Sequence, residues 1–253
     1  MKSSRRMLLA STALTPFMML AGAHAASAQA VSAPNATFGG FGGQWNGYWL
    51  GAGELRLTAP LTPVWGAQFD GIAGTIGGQT WGEAAGHIFT RDPSIGLLGL
   101  YGAWTTLGGG SNFRIGPEAE VYGINTSVSA VAGFKTGGTD SFFAQLRGSW
   151  YVDPNTKFYA GFVHDDWSYG LAGFEHQFGT TGVSFFSEVR AGTSGTAGWA
   201  GLRFYLGPKG PTKTLINRER QDVAPLWVWV ADSSVTNPST TPPSFGTSTS
   251  PPR

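Results

Sequence analysis

The chain has 253 residues, with 16 Lys and Arg against 15 Asp and Glu, so it is close to neutral. That balance gives no electrostatic case for a nucleic-acid partner, and the absence of cysteine excludes disulfides and thiolate metal sites. Only 12% of residues are charged while 39 are glycine, whereas soluble domains carry about 25% charged residues. This composition is typical of a β-barrel whose outside meets lipid.

Residues 1–30 are predicted to be a cleaved signal peptide. Lys2, Arg5 and Arg6 precede a mostly apolar stretch, and small-x-small cleavage sites end at Ala25 and at Ala30. The alternative is a transmembrane anchor, but Ser, Thr and Pro residues interrupt the stretch too often for a spanning helix. The sequence does not decide between the two cleavage positions.

Beyond a polar lead-in at 31–45, eleven short segments alternate apolar residues with polar or small ones, which is the period of a β-strand. Turn residues such as Asp92-Pro93-Ser94 separate them. Their lengths suit tilted strands that cross a bilayer. The predicted strands are 46–57, 64–75, 80–90, 95–106, 112–123, 126–135, 141–152, 157–165, 168–178, 183–191 and 197–206.

We therefore predict an all-β fold: a closed antiparallel up-and-down transmembrane β-barrel spanning about 46–206. Single-chain bacterial barrels have even strand numbers, so eleven segments imply an error in one of them. Leu226-Trp227-Val228-Trp229-Val230 or the lead-in could supply a twelfth strand, or ten strands could close with one segment as a loop. The prediction is ten to twelve strands.

Charged side chains fall on one face of the predicted strands, and large apolar ones such as Phe69, Phe134 and Val189 on the other. A charge facing lipid at the midplane costs about 2–4 kcal/mol, so the charged face must line the lumen. The predicted lumen-lining residues are Glu54, Arg56, Asp70, Glu83, His87, Arg114, Glu118, Glu120, Lys135, Arg147, Glu175, Glu188, Arg190 and Arg203. Their near-balanced charge favours an ion-paired interior over an ion-selective pore.

Two further segments follow the last predicted strand. Residues 207–230 form a basic and aromatic extension. Its basic part, 207–221, is interpreted as a solvated tail just outside the barrel, with contact to lipid headgroups as the alternative. Residues 231–253 are rich in Ser, Thr and Pro and are expected to form a disordered tail.

Aromatic residues near strand ends predict girdles at the two membrane interfaces. The predicted girdle residues are Tyr48, Trp49, Trp65, Trp81, Trp104, Trp150, Tyr151, Trp167 and Tyr169.

Evidence for catalysis or cofactors is thin. His164-Asp165-Asp166-Trp167-Ser168 brings a histidine near a serine, but in a predicted turn. The same run could hold a cation, although an acidic hairpin tip is the favoured interpretation. We predict no enzyme, no cofactor and no metal.

Gly86–Gly99, Gly116–Tyr122 and the closing Gly201-Leu202-Arg203-Phe204-Tyr205-Leu206-Gly207 resemble a group of uncharacterised outer-membrane β-barrel proteins from alphaproteobacteria. The resemblance covers about residues 46–222 and implies an outer-membrane location but no activity. One departure is that such barrels usually end on an aromatic residue that the insertion machinery reads, whereas this chain ends at Arg253.

The sequence thus predicts an outer-membrane barrel with a structural or interaction role and at most a narrow lumen. A small-solute porin is the alternative, and a soluble lipocalin-like barrel with its apolar face inward is a further one. Expected partners are outer-membrane lipids and the barrel-insertion machinery, with no nucleic acid; the oligomeric state is not predicted.

Overall fold

The structure, a computed structural model, describes residues 29–138, 140–193, 195–207 and 213–229. Most of the predicted signal peptide and the whole predicted tail, 231–253, lie outside the described residues. The strands are β1 (Asn35–Trp45), β2 (Tyr48–Pro60), β3 (Trp65–Ile76), β4 (Gln79–Asp92), β5 (Gly96–Leu107), β6 (Gly110–Tyr122), β7 (Thr126–Thr136), β8 (Ser141–Asp153), β9 (Thr156–His164), β10 (Ser168–Gln177), β11 (Val183–Gly192) and β12 (Gly195–Leu206).

Each strand pairs antiparallel with its chain neighbours, and β1 pairs with β12 to close the sheet into a barrel. Closure leaves no strand edge, so the backbone hydrogen bonds of the wall are satisfied within it. The even number of strands places Asn35 and Leu206 at the same end, which we call the near mouth; the opposite end is the far mouth. The prediction of a closed barrel of ten to twelve strands is confirmed, with twelve.

The missing strand is β1, which corrects the assignment of 31–45 as a polar lead-in; the alternative in which the lead-in supplies the twelfth strand is confirmed. Four of its eleven residues are glycines, which leave few side chains from which to read an alternation. Close backbone packing explains two of them: a Cβ on Gly43 would lie 2.0 Å from the carbonyl oxygen of Gly198, and one on Gly39 would lie 2.6 Å from that of Leu202.

Tight turns set the register of the hairpins. Asn46 and Gly47, which join β1 to β2, have φ angles of 47° and 82°. Two successive positive φ angles are those of a type I′ turn, whose twist matches the twist of the flanking strands. All the connections between strands are short, at two to five residues.

The outer surface of the wall is apolar. Phe134 is 74% exposed, Val189 57% and Leu100 53%, and many other large apolar side chains point the same way. Soluble proteins rarely expose so extensive an apolar surface. The soluble lipocalin-like alternative required the apolar face to turn inward, and the structure contradicts it.

After β12 the chain forms a short helix, α1 (Leu215–Gln221), and then an extended stretch, Val223–Trp229, which we call the lumen segment. All of its residues except Pro225 are buried, and they pack against the inner face of the wall. The alternative of a twelfth strand at 226–230 was therefore wrong. The basic part of the extension was expected to be solvated, but Leu215 and Arg218 of α1 are buried, which corrects that expectation for the helix. None of the helices in the described part of the chain is long and apolar enough to span a bilayer.

Candidate functional site: the filled lumen

The structure places all fourteen predicted lumen-lining residues on the inner face of the wall. Twelve of them are buried, and the side chains of Arg147 and Arg203 are each 13% exposed. Whether these residues have a role beyond filling the lumen stays a prediction.

Sequence reasoning missed several inward polar residues. Arg91, Lys157 and Gln68 are buried in the lumen. Arg91 has the same parity as His87, and Lys157 the same parity as Tyr159, so the alternation could have found both. Arg91 was passed over because the third predicted strand, 80–90, stopped one residue too early.

A first network of charge pairs joins the inner faces of β2, β8, β10, β11 and β12. The Arg203 guanidinium bridges two acids, with Nε 2.5 Å from Glu54 Oε1 and Nη1 2.8 Å from Glu175 Oε2. Glu188 accepts from Arg190 Nε at 2.7 Å and lies 3.5 Å from Arg147. Because the charges neutralise one another, they do not present a ring of one sign.

A second network lies towards the far mouth, where the turn between β9 and β10 folds over the lumen. Asp165 Oδ2 accepts from Arg114 Nη2 at 2.6 Å, and Lys135 contacts both Asp165 and Asp166. The acidic run therefore pairs with lysine and arginine. Among the described residues, no group of three His, Cys, Asp or Glu is placed to hold a metal ion.

His87 lies between two buried carboxylates. Its Nδ1 is 2.8 Å from Glu118 Oε1 and its Nε2 is 3.0 Å from Asp70 Oδ2. Each carboxylate also has a second partner, because Gln68 Nε2 donates to Asp70 at 2.8 Å and Trp227 Nε1 donates to Glu118 at 2.9 Å. The wall charges are thus connected directly to the lumen segment.

Side chains of the wall bind the main chain of the lumen segment. Arg91 donates to the Val223 carbonyl at 2.7 Å, and Arg190 to the Val228 carbonyl at 3.0 Å. The Gln68 amide accepts from Ala224 N at 2.8 Å and donates to Ala224 O at 3.3 Å. Main-chain groups along the segment thus find polar partners although the segment is not part of the sheet.

The side chains of the segment alternate between opposite walls. Leu226 and Val228 join a cluster with Phe41, Phe186 and Trp199 from β1, β11 and β12. Trp227 and Trp229 join the other cluster, with residues that include Tyr101 and Phe143 from β5 and β8. The Trp229 indole donates to Tyr101 Oη at 2.9 Å, and Arg114 lies over its ring at 5.0 Å.

Helix α1 covers the near mouth. Glu219 accepts hydrogen bonds from Tyr151 and Lys157, and Arg220 donates to the Gly123 carbonyl at 2.7 Å. Arg218 Nε donates to Gln177 Oε1 at 2.8 Å; partial burial lowers the pKa of this guanidinium below the ordinary arginine value. These contacts anchor the helix to strands on one side of the barrel.

The predicted aromatic girdles hold for part of the set. Six of the nine residues are exposed on the outside of the wall: Tyr48, Trp49, Trp65, Trp104, Trp150 and Trp167. Trp81, Tyr151 and Tyr169 are buried instead, which corrects their assignment, because each has the parity of the inner face.

His164 and Ser168 are cross-strand partners on β9 and β10, with His164 Nδ1 3.0 Å from Ser168 Oγ. Thr156 and His176 form a similar pair at the other end of the same two strands, at 2.8 Å. A histidine–hydroxyl contact therefore recurs where these strands meet either interface. Among the described contacts of His164 there is no carboxylate that would orient the ring as in a catalytic triad.

No family profile matches the chain. No curated protein matches it by sequence either. Solved structures share the fold. The KdgM porin matches at TM-score 0.55 and 7% identity, covering 66% of this chain and 98% of the porin. The COG4313 outer membrane channel from Pseudomonas putida F1 matches at TM-score 0.51 and 14% identity, covering 73% and 99%.

The barrel therefore has the fold of outer-membrane β-barrels. At these identities the likeness extends to the fold alone. The expected kinship with an alphaproteobacterial group stays a prediction.

Proposed function

We propose that this protein is an outer-membrane β-barrel with a structural or interaction role, and that its lumen is closed at rest by its own C-terminal segment. The apolar outer face and the exposed aromatic residues support placement in a membrane, and the shared fold supports the outer membrane. The near mouth, which α1 covers, then faces the periplasm, because the first strand of a bacterial barrel begins there and the last strand ends there. We propose no catalytic role.

The observation that carries this proposal is the filling of the lumen. One cavity beside the lumen segment, lined by its residues and by charged side chains of the wall, has a volume of about 50 Å³. A water molecule needs roughly 10–15 Å³ measured in this way, so the cavity holds a few waters. Such a space supports a closed barrel rather than a passage for solutes.

Planar-bilayer recording of the purified full-length protein tests the proposal. We expect the unmodified chain to pass no current, and the double variant Trp227→Ala/Trp229→Ala to conduct, because it removes two large side chains from the lumen. The matched control is Trp49→Ala/Trp150→Ala, which removes two indoles from the outer face.

Steady current through the unmodified chain would support the small-solute porin instead. Fractionation tests the location separately, since recovery of the protein in the soluble periplasm without detergent would contradict membrane placement. Heat-modifiable migration in outer-membrane fractions is the result expected of a closed barrel.

A further inference from the structure

The lumen segment is bound in the way that a receptor binds a peptide. It makes none of the ladder hydrogen bonds that join the strands, and its main-chain groups contact side chains of Arg91, Gln68, Glu83 and Arg190. These partners come from β3, β4 and β11, on opposite sides of the barrel. They are spaced along the segment, so they recognise an extended backbone.

The wall also recognises specific side chains. Both indole N–H groups have acceptors, Glu118 for Trp227 and Tyr101 for Trp229. Arg147 lies 5.8 Å from the Trp227 ring. Leu226 and Val228, which alternate with the tryptophans, pack into the apolar cluster on the opposite wall. Buried tryptophans with satisfied N–H groups are the usual hot spots of a protein interface.

We propose that the lumen wall is a peptide-binding site. Its ligand class is a neutral, extended segment with tryptophan at alternate positions and an aliphatic residue between them, as in Leu226-Trp227-Val228-Trp229. The segment of this chain is the resident ligand, and a segment of the same kind from another chain, entering by the near mouth, binds in its place. The inference rests on the proposed barrel for its closed wall, but not on its conductance.

Three features support this ligand class. The lumen segment carries no charged residue, so it enters a lumen of paired charges without adding one. Two acids of the wall accept from neutral donors of the segment. Trp229 N donates to Glu83 Oε2 at 3.2 Å, and the Trp227 indole donates to Glu118. Gln68 binds both the N–H and the carbonyl of Ala224 with its side-chain amide. Any residue except proline at this position could make the same two hydrogen bonds.

The test separates the ligand from the wall after the full chain has folded. A protease site replaces residues 208–212, between β12 and α1, and the purified protein is then cut. A fluorescent synthetic peptide of residues 213–229 is added in excess. We expect the released fragment, 213–253, to stay bound after cutting and the labelled peptide to replace it.

Unlabelled variant peptides then compete with the labelled one. We expect Trp227→Ala and Trp229→Ala each to compete at least about tenfold more weakly than the unmodified peptide. Asn217 is exposed on α1, so Asn217→Ala is the matched control and should compete equally. Equal competition by all the peptides, or a fragment that the peptide never replaces, would overturn the proposal.

A second measurement needs no cut, in case the cut chain unfolds. The labelled peptide is added to the intact chain and to its Trp227→Ala/Trp229→Ala variant. The resident segment of the unmodified chain should keep the peptide out, whereas the variant should bind it. Absence of binding to a variant that retains heat-modifiable migration would also overturn the proposal. Neither readout depends on current, so its failure is distinguishable from failure of the closed-channel proposal.

Discussion

At the scale of single residues, His87 shows how the lumen accommodates buried charge. Its ring lies between the carboxylates of Asp70 and Glu118, and it is 1% exposed. Buried acids are tolerated when each has a close partner, and removing one member of such a group leaves the others uncompensated. The residue therefore serves the stability of the wall.

We expect His87→Ala to destabilise the barrel by about 3 kcal/mol, because two buried carboxylates lose their shared partner. The measurement is the temperature at which the fast-migrating folded form converts to the unfolded one on a gel. His164→Ala, on the outer face, is the control and should leave that temperature nearly unchanged. Equal shifts of the unfolding temperature in the two variants would contradict this role. A separate lipid analysis of the membranes should find no change in either variant, because no catalytic role is proposed.

Much of this residue-level picture follows from the sequence. Alternation alone assigned Glu54, Arg114 and Arg203 to the same face, because a charge cannot face lipid without a large cost. The pairing of the charges could not be read in the same way. Arg203 meets Glu54 from a strand about 150 positions earlier, and only the closing of β1 on β12 brings them together.

At the scale of elements, glycines allow neighbouring strands to approach closely. Gly116 on β6 and Gly133 on β7 illustrate this, since a Cβ on Gly116 would lie 1.9 Å from the carbonyl oxygen of Ala132. Backbone cannot give way as a flexible side chain can. The contact therefore requires glycine at this position.

Gly116→Ala should destabilise the barrel by about 1–3 kcal/mol through overpacking. Gly86→Ala is the matched control, since a Cβ there meets nothing within 4 Å, and it should be neutral. The same gel-based unfolding temperature measures both variants. A neutral Gly116→Ala would show that the two strands can separate without loss of stability.

Two elements were not assigned correctly from the sequence, for physical reasons: β1 was only an alternative, and the lumen segment was only a possible strand. β1 carries glycines where its neighbours approach, so there was little alternation to detect. The lumen segment does alternate, and it was considered as a strand for that reason. Alternation in the sequence indicates an extended chain whose two faces meet different environments. It does not show whether that chain is hydrogen-bonded into a sheet or lies between the walls of a lumen.

At the scale of the whole molecule, the residues before β1 meet the start of the lumen segment at the near mouth. Ala30 N donates to the Pro63 carbonyl at 2.8 Å, and Val31 is fully buried against Phe89, Leu97 and Ala224. Ser32 donates to Asp222 at 2.5 Å. The residues before β1 thus hold the start of the lumen segment in place.

This arrangement favours one of the two predicted cleavage positions. Cleavage after Ala30 would remove the Pro63 contact and leave a charged amino group at Val31, which is costly to bury. We expect the mature protein to begin at Ala26. The intact mass of protein purified from the membrane fraction measures this directly, and a mass that corresponds to a start at Val31 would contradict it.

The position of the lumen segment in the chain has a consequence for assembly. The segment is synthesised after every strand of the wall, yet it ends enclosed by them. A wall that closed early would have to admit the segment end-first, with residues 230–253 leading. A seam between β1 and β12 that stays open lets the segment lie in sideways before the last ladder forms. Folding of this barrel therefore includes a step that an empty barrel lacks: the lumen segment must enter either before or after β1 pairs with β12.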